Sequence, residues 1–487
     1  MGPLEARQPR HPVTEAVVVG SGPNGLAAAL TLAVHGLAVT VLEAAEEIGG
    51  GARSGETTLP GLLHDHCSAV HPFGVASALL RSPDLARHGL HWAWPDVDLA
   101  HPLDDGDAAV ALRSVRDSAR ALGADAEAWL RVFTRPSEHF DALADDALRP
   151  LLRVPRHPLL LADFGRRAVQ PATVLARRWR TDRARALFAG AAAHAFQPLE
   201  RPLTSAVGLL LLAAAHHRGW PVARGGSGRI TAALAARLTE LGGHLETGHP
   251  VRSLAELPPT GLVLLDVAPG AAADICGDRL PPRVRRAYRR WRHGPAAFRM
   301  DFAVADGIPW RHEDCRRAGT VHLGGTLEEI AHAEREIAHG RMPERPFVLV
   351  AQQYLADPGR SRGDTHPVYA YAHVPHGYDG DASRQILAQL ERFAPGFRDR
   401  VLATTITPAC RLPRHNANLV GGDISTGANT PLQTVLRPRP ALDPYATGIP
   451  GVYLCSAATP PGAGVHGLCG IHAARSALGH AGITAAG

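Results

Sequence analysis

Near the amino terminus, Gly20-Ser21-Gly22-Pro23-Asn24-Gly25 has the spacing that lets a backbone wrap a diphosphate. Gly20 permits the tight turn, Gly22 lets the main chain approach a pyrophosphate, and Gly25 lets a helix pack on a strand. Glu43 follows about where a ribose-binding acid is expected and would accept hydrogen bonds from a ribose diol. Two histidines are candidates for moving a proton beside a redox centre: His466, within Pro460-Pro-Gly-Ala-Gly-Val-His-Gly467, and His71. With 27 histidines in the chain, either is also open to the plainer reading of a surface or satisfied core residue.

These residues need elements to hold them. A short apolar strand, Glu15 to Val19, runs into the glycines, and an alanine- and leucine-rich helix to His35 follows, presenting N-terminal donors to the phosphates. Beyond Glu43-Ala44, Gly49-Gly50-Gly51-Ala52-Arg53 adds a second glycine cluster and a cation that can sit over the same diphosphate. Alone it could be a Gly-rich turn; beside the first cluster it points to FAD, whose reach exceeds that of NAD. Gly451-Val-Tyr-Leu-Cys-Ser456, the Pro460–Gly467 loop and a helix from Gly470 to Leu478 repeat the order strand, glycine loop, helix, which suits the flavin edge where charge develops on reduction.

The chain has 487 residues, 45% of them apolar, enough for two substantial lobes, and only the first ten or so residues read as disordered. The polar start leaves no room for a cleavable signal before the first strand, and the longest apolar run, Ala206 to Ala215, is too short to span a bilayer. A soluble, cytoplasmic protein is expected. All 51 Lys+Arg residues are arginine, which excludes a Schiff-base lysine, a P-loop lysine and a lysine-held water beside a flavin. A net charge of +5, spread along the chain, implies no nucleic acid. Arg283 to Arg292 reads as the solvated face of a helix; a second reading rests it, with Tyr288 and Trp291, on anionic headgroups. Six cysteines without a Cys-x-x-Cys pair disfavour a redox disulfide or zinc site, so no metal is expected.

The pattern divides the chain into a discontinuous FAD-binding domain (13–100, 220–290 and 430–487) and a substrate domain (101–219 and 291–429). Residues from Ser114 to Arg218 are largely helical and read as a cap. A helix after Ala223-Arg-Gly-Gly-Ser-Gly-Arg229 leads to a strand from Leu245 to Val251. Phe298, Met300, Phe302 and Val304, and likewise Val368, Ala370, Ala372 and Val374, alternate as in a mostly antiparallel sheet, with helices over Thr326 to His339 and Ser383 to Ala394. Tyr369, Tyr371, His373 and His376 could line a pocket or pack that sheet, and the strand period alone explains their spacing.

The glycine fingerprint, the Glu43–Arg53 segment, the Arg-Gly-Gly-Ser-Gly-Arg turn and the Pro-Gly-Ala-Gly-Val-His-Gly loop resemble the phytoene desaturase and carotenoid isomerase branch of FAD-dependent oxidoreductases, from Val13 to Gly479. His64-Asp-His-Cys-Ser-Ala-Val-His-Pro72, Gly319 to Gly325 and Gly421-Gly-Asp-Ile424 are similar to the broad bacterial phytoene dehydrogenase-related group. The resemblance implies an α/β fold, a glutathione reductase-like Rossmann domain interleaved with an α+β substrate domain. It implies that Gly20, Gly22 and Gly25 bind the diphosphate, Glu43 the adenosine ribose, Gly50 and Arg53 the phosphates, Val251 the adenine, and Gly464, Val465 and Gly470 the flavin end. His466 stands where that family more usually has proline, and His64, His66 and His71 surround Asp65, so a carotenoid substrate does not follow automatically. The expected activity is hydride removal from a carbon of an apolar or natural-product-like small molecule, forming a double bond, with oxygen, a quinone or another carrier as electron acceptor and with peripheral membrane contact open. Redox-neutral isomerisation, amine oxidation and a non-catalytic escort on the same fold are the alternatives; intact glycines at both ends of the flavin site disfavour the escort, and the missing lysine disfavours the amine oxidase.

Overall fold

A computed structural model describes residues 15–483. The expected amino-terminal disorder, the argument against a signal segment, and positions 13, 14 and 484–487 of the FAD-binding domain lie outside them. The described chain builds two large sheets and two two-stranded ones, Ser54–Glu56 with Leu63–Asp65 and Trp92–Ala93 with Val222–Ala223. Five parallel strands lie in the order Val452–Leu454, Leu262–Leu265, Glu15–Val19, Ala38–Leu42 and His244–Glu246. All but the edge strand His244–Glu246 are largely apolar on both sides because both faces are covered. Ala16, Val18, Val39 and Val41 face the helices Pro23–Val34, Gly228–Glu240 and Leu468–Ala481; Val17, Val19, Val263 and Leu265 face Pro269–Cys276 and Pro282–Arg289.

The second sheet has seven strands in the order Val401–Thr407, Ala296–Ala305, Thr365–Val374, Val348–Ala351, Ala318–Leu323, Val97–Pro102 and Ala108–Ala111. Every pairing is antiparallel except that of Val97–Pro102 with Ala318–Leu323. Alternation sorts its side chains: Phe298, Met300, Val350, Val368 and Ala370 pack one core, whereas Ala297, Leu349, Tyr369 and Tyr371 face the helical cap. The cap contains Ala126–Glu138, Pro158–Ala168, Asp182–Ala193 and Thr204–Arg218. Its interior is pinned by Trp129, which lies 4.4 Å from Phe133 and 5.3 Å from Trp179 between ring centroids and donates its indole N–H to His216 Nε2 at 3.1 Å.

The structure differs from the pattern at three places. Val97–Pro102 and Ala108–Ala111 already belong to the second sheet, so the chain crosses over before residue 101. The strand expected from Leu245 to Val251 is only His244–Glu246, since the partner strand ends at Leu42. In the arginine-rich helix Tyr288 is buried with Val284 in the nucleotide-domain core, which takes away one of the two aromatics that were to rest on headgroups, and half-buried Trp291, just after the helix, donates its indole N–H to the Thr426 carbonyl at 3.2 Å. Among the described residues no helix is long and apolar enough to cross a membrane.

Candidate active site

The glycine turn is drawn tight by the strands on either side. Gly20, at φ +101°, donates its amide to the Leu42 carbonyl at 2.8 Å. A Cβ on Gly25 would overlap the carbonyl oxygen of Gly20, so the helix starts directly against the turn. Gly22 stands in the N-cap position with Pro23 at the first turn and makes no side-chain cap of its own, so the helix start faces an anion except at the Gly25 N–H, which a carboxylate takes. Ser21 fixes the neighbouring acid: its N–H and hydroxyl both donate to Glu43 Oε2, at 2.8 and 2.6 Å, and Ala45 N–H donates to Oε1 at 2.9 Å.

The second glycine segment folds over the first. A Cβ on Gly50 would come within 3.0 Å of Gly22 Cα. Arg53 donates to the carbonyls of Ile48 and His415, at 3.2 and 3.0 Å, and holds Nη2 3.9 Å from Glu43, so its charge stands beside the cradle. Beneath it lies Asp266, at the end of Leu262–Leu265, whose Oδ2 accepts the Gly25 N–H at 2.9 Å. Burial pushes this carboxyl up to about 7; the Gly25 bond opposes the shift and the Glu43 charge adds to it.

Gly20, Gly22, Glu43, Gly50, Arg53, Val251, Gly464, Val465 and His466 line one cavity of about 1070 Å³. An open helix N-terminus, two facing glycine segments, an acid and an arginine fit the diphosphate and ribose of FAD. Gly25 and Gly470 are not on its wall: each lets a helix approach closely, Gly470 against the Asn24 carbonyl. His71 is also off the wall. Its Nε2 hydrogen-bonds Ser227 Oγ at 2.8 Å within a buried network of Asp65, Arg360 and Asp357, and burial pushes its pKa down to about 4. His466 does reach the cavity, but its Nδ1 accepts the Leu468 N–H at 3.0 Å and burial pushes its pKa down to about 3, so the imidazole is neutral.

From the flavin-end loop the cavity continues between cap and sheet, past Leu161, Phe164, Leu210, Leu211 and Trp220 to Leu349, Tyr369 and Tyr371. Packing and lining are thus one face for the two tyrosines. His373 shares that face but is covered by Phe196, 3.8 Å away between rings, and bonded to Glu334 at 2.6 Å; His376 bonds the Gly294 carbonyl at 2.9 Å. The structure adds His194, on the cavity wall with Nε2 3.1 Å from Nε2 of buried His322. Ser21, Asp266 and His194 carried weak signals: an unspecified place in the fingerprint, an acid ending an apolar strand, and one histidine in an alanine-rich run.

Residues 18–82 match the NAD(P)-binding Rossmann-like domain family. Over 95% of this chain and 93% of the relative's length, it is 25% identical to pyridine nucleotide-disulfide oxidoreductase domain-containing protein 2 of Mus musculus. It is 26% identical to the hydroxyneurosporene desaturase of Rhodobacter capsulatus, over 96% and 98%. Among solved structures, an oxidoreductase from Methanosarcina mazei superposes with a TM-score of 0.64 at 15% identity, covering 95% of this chain and 100% of that one. Putrescine oxidase does so with 0.60 at 17%, covering 96% and 98%. Near-full-length likeness to a desaturase, joined to a cradle built for a dinucleotide, makes the chain a flavin oxidoreductase with FAD as its cofactor, similar to the phytoene desaturases.

Proposed function

We propose that the protein dehydrogenates a carbon–carbon bond of an elongated, largely apolar small molecule. The observation that carries this reading is the cavity's continuation from the Gly464–His466 loop into a passage walled by leucines, Phe164, Trp220 and two tyrosines, which favours an apolar body and offers few groups for a charged one. The relative named hydroxyneurosporene desaturase is, by that name, a desaturase of hydroxyneurosporene, which supports a desaturation here. FAD, when bound, supplies the hydride acceptor, and its electrons leave to oxygen, a quinone or another carrier. The protein's part is to bind, orient and exclude water: the Tyr369 and Tyr371 face and the cap press on the substrate from two sides. A neutral His466 holds the flavin-end loop through its bond to Leu468 N–H.

The setting in this reading is the cytoplasm, with contact at a membrane surface through the exposed apolar segment at 151–159 beside the cavity. Anaerobic addition of a phytoene-like polyene, and of a hydroxylated one, to the FAD-loaded protein tests the proposal. Bleaching of the oxidised flavin band with a newly conjugated product is expected. A persistent flavin band together with an unoxidised but rearranged polyene would move the assignment to isomerisation, and bleaching by amines instead would move it to amine oxidation.

A further inference from the structure

Arg437 is a cation without a counter-ion. Its side chain lies on the cavity wall yet is only 3% exposed. Nη2 donates to Asn429 Oδ1 at 2.8 Å and Nη1 to the Ala457 carbonyl at 3.4 Å, both neutral acceptors, while Nε has no partner. Asp423, whose charge reaches it, is spent on the N–H groups of Gly294 and Ser425, each at 2.8 Å, and on His293. No carboxylate of the described residues pairs with Arg437 within 4.0 Å. Guanidinium does not shed its charge in proteins, and an uncompensated buried charge is strongly unfavourable.

The surroundings are built around this group. Gly462, at φ +117°, has no Cβ to collide with Nη1. Asn429, which holds Nη2, also donates to the Ala195 carbonyl of the cap at 3.2 Å. Arg437 therefore ties the cap to the loop that precedes the last helix, and Pro460, Ala463, Gly464 and Val465 of that loop line the same cavity.

Strand order separates this cation from the nucleotide's other charges. Ala457 follows Val452–Leu454, three strands across the sheet from Ala38–Leu42, which ends at Glu43. At about 4.8 Å per strand these two strands are roughly 14 Å apart. The diphosphate already has the open helix start and Arg53 near the middle. What lies toward the other edge of an extended dinucleotide is the flavin, and a flavin that takes up a hydride gains negative charge on its N1–C2=O edge. We propose that Arg437 is the fixed cation that pairs with that charge and raises the reduction potential of the bound FAD.

The test needs no substrate and stands apart from the dehydrogenation reading. FAD-loaded wild type, Arg437→Gln and Arg437→Lys are compared in two-electron reduction potential, by equilibration with reference dyes, and in sulfite affinity. The Gln variant is expected to lose at least about tenfold in the reduction equilibrium, about 30 mV for two electrons, and to bind sulfite correspondingly less well, with Lys recovering most of both. A Gln variant that keeps FAD at unchanged potential and sulfite affinity overturns the proposal and leaves the cation to an anionic substrate. Should the Gln variant lose FAD, the wild type decides by itself. Its reduced flavin is expected to remain anionic well into the acid range, because an opposite charge nearby lowers an acid's pKa by about 1–3; a neutral reduced flavin at neutral pH overturns the assignment.

Discussion

A Cβ on Gly470 would overlap the carbonyl oxygen of Asn24, so the last helix of the chain rests on the first turn of the first with no side chain between them. Gly25 has the same relation to Gly20. The two glycines set where the phosphate-binding helix start lies without touching the cavity themselves. Gly470→Ala should therefore destabilise the protein by about 3 kcal/mol, as overpacking against a rigid backbone does. Urea unfolding of the FAD-free protein checks this. An effect visible only with FAD bound would mean that Gly470 touches the cofactor after all.

Asp266 makes the cradle pH-dependent. Below about pH 4 its carboxyl is protonated in both folded and unfolded chains. Between there and about 7 the unfolded chain gives up a proton that the folded one keeps, so the stability of the FAD-free protein falls as pH rises through that window and levels off above it. The change is up to about 4 kcal/mol. Above about 7 the ionised carboxyl, next to Gly22, opposes the diphosphate, so FAD binding should weaken. Asp266→Asn keeps an oxygen for the Gly25 N–H and should flatten both profiles. FAD titrations across pH on the two proteins measure this, and parallel curves would refute it.

How much of this was legible in the sequence depends on the range of the interactions involved. The fingerprint from Gly20 to Gly25, Glu43 and the alternating strands around Phe298 and Val368 follow local rules, in which one turn or one strand fixes each residue's role. Whether a side chain reaches the cavity is set by partners far along the chain. Gly470 is displaced from the flavin end by Asn24, and His71 by Ser227, 156 residues away. Tyr369 and Tyr371 could not be divided between packing and lining because the sheet face they pack is the cavity wall. Asp266, 241 residues from the glycine whose N–H it accepts, carries no local mark of its position.

Asp65 and Arg360 form a buried ion pair at 2.5 Å, and Arg360 also bonds Asp357 at 3.1 Å. Burial would raise the Asp65 pKa, yet Arg360, the Ser227 N–H and the Ser54 hydroxyl together hold it below the ordinary carboxylate value. The stability that Asp65 contributes is present above about pH 4 and is lost as pH falls below it. Arg360→Met strands the carboxylate and should cost about 3–5 kcal/mol, with part recovered in the double variant Asp65→Asn/Arg360→Met. His71→Ala removes a neutral hydrogen bond to Ser227 and a long one to Ser68 and should cost about 1–2 kcal/mol while leaving flavin reduction intact. Denaturant midpoints rank the three; a His71 variant that folds normally but cannot reduce its flavin would restore His71 as a catalytic candidate.

The segment Leu151-Leu-Arg-Val-Pro-Arg-His-Pro-Leu159 turns its apolar residues outward: Val154 is 91% and Leu159 80% exposed, with Leu151 and Leu152 beside them. Arg153 and Arg156 are interleaved and exposed, and Leu148, Arg149, Leu151 and Leu161 line the cavity, so this skin lies at its border. Exposed leucines and valine gain by entering the interfacial region of a bilayer, at about 25 cal/mol per Å² of apolar surface, and each arginine near an anionic surface adds about 1 kcal/mol. The protein should therefore sediment with phosphatidylglycerol vesicles and much less with phosphatidylcholine. Val154→Asp/Leu159→Asp should weaken that binding at least tenfold while the flavin spectrum stays unchanged. Equal binding to both lipids would remove the arginines from the account. No binding to either would mean that the exposed residues serve another contact and that an apolar substrate reaches the cavity from solution.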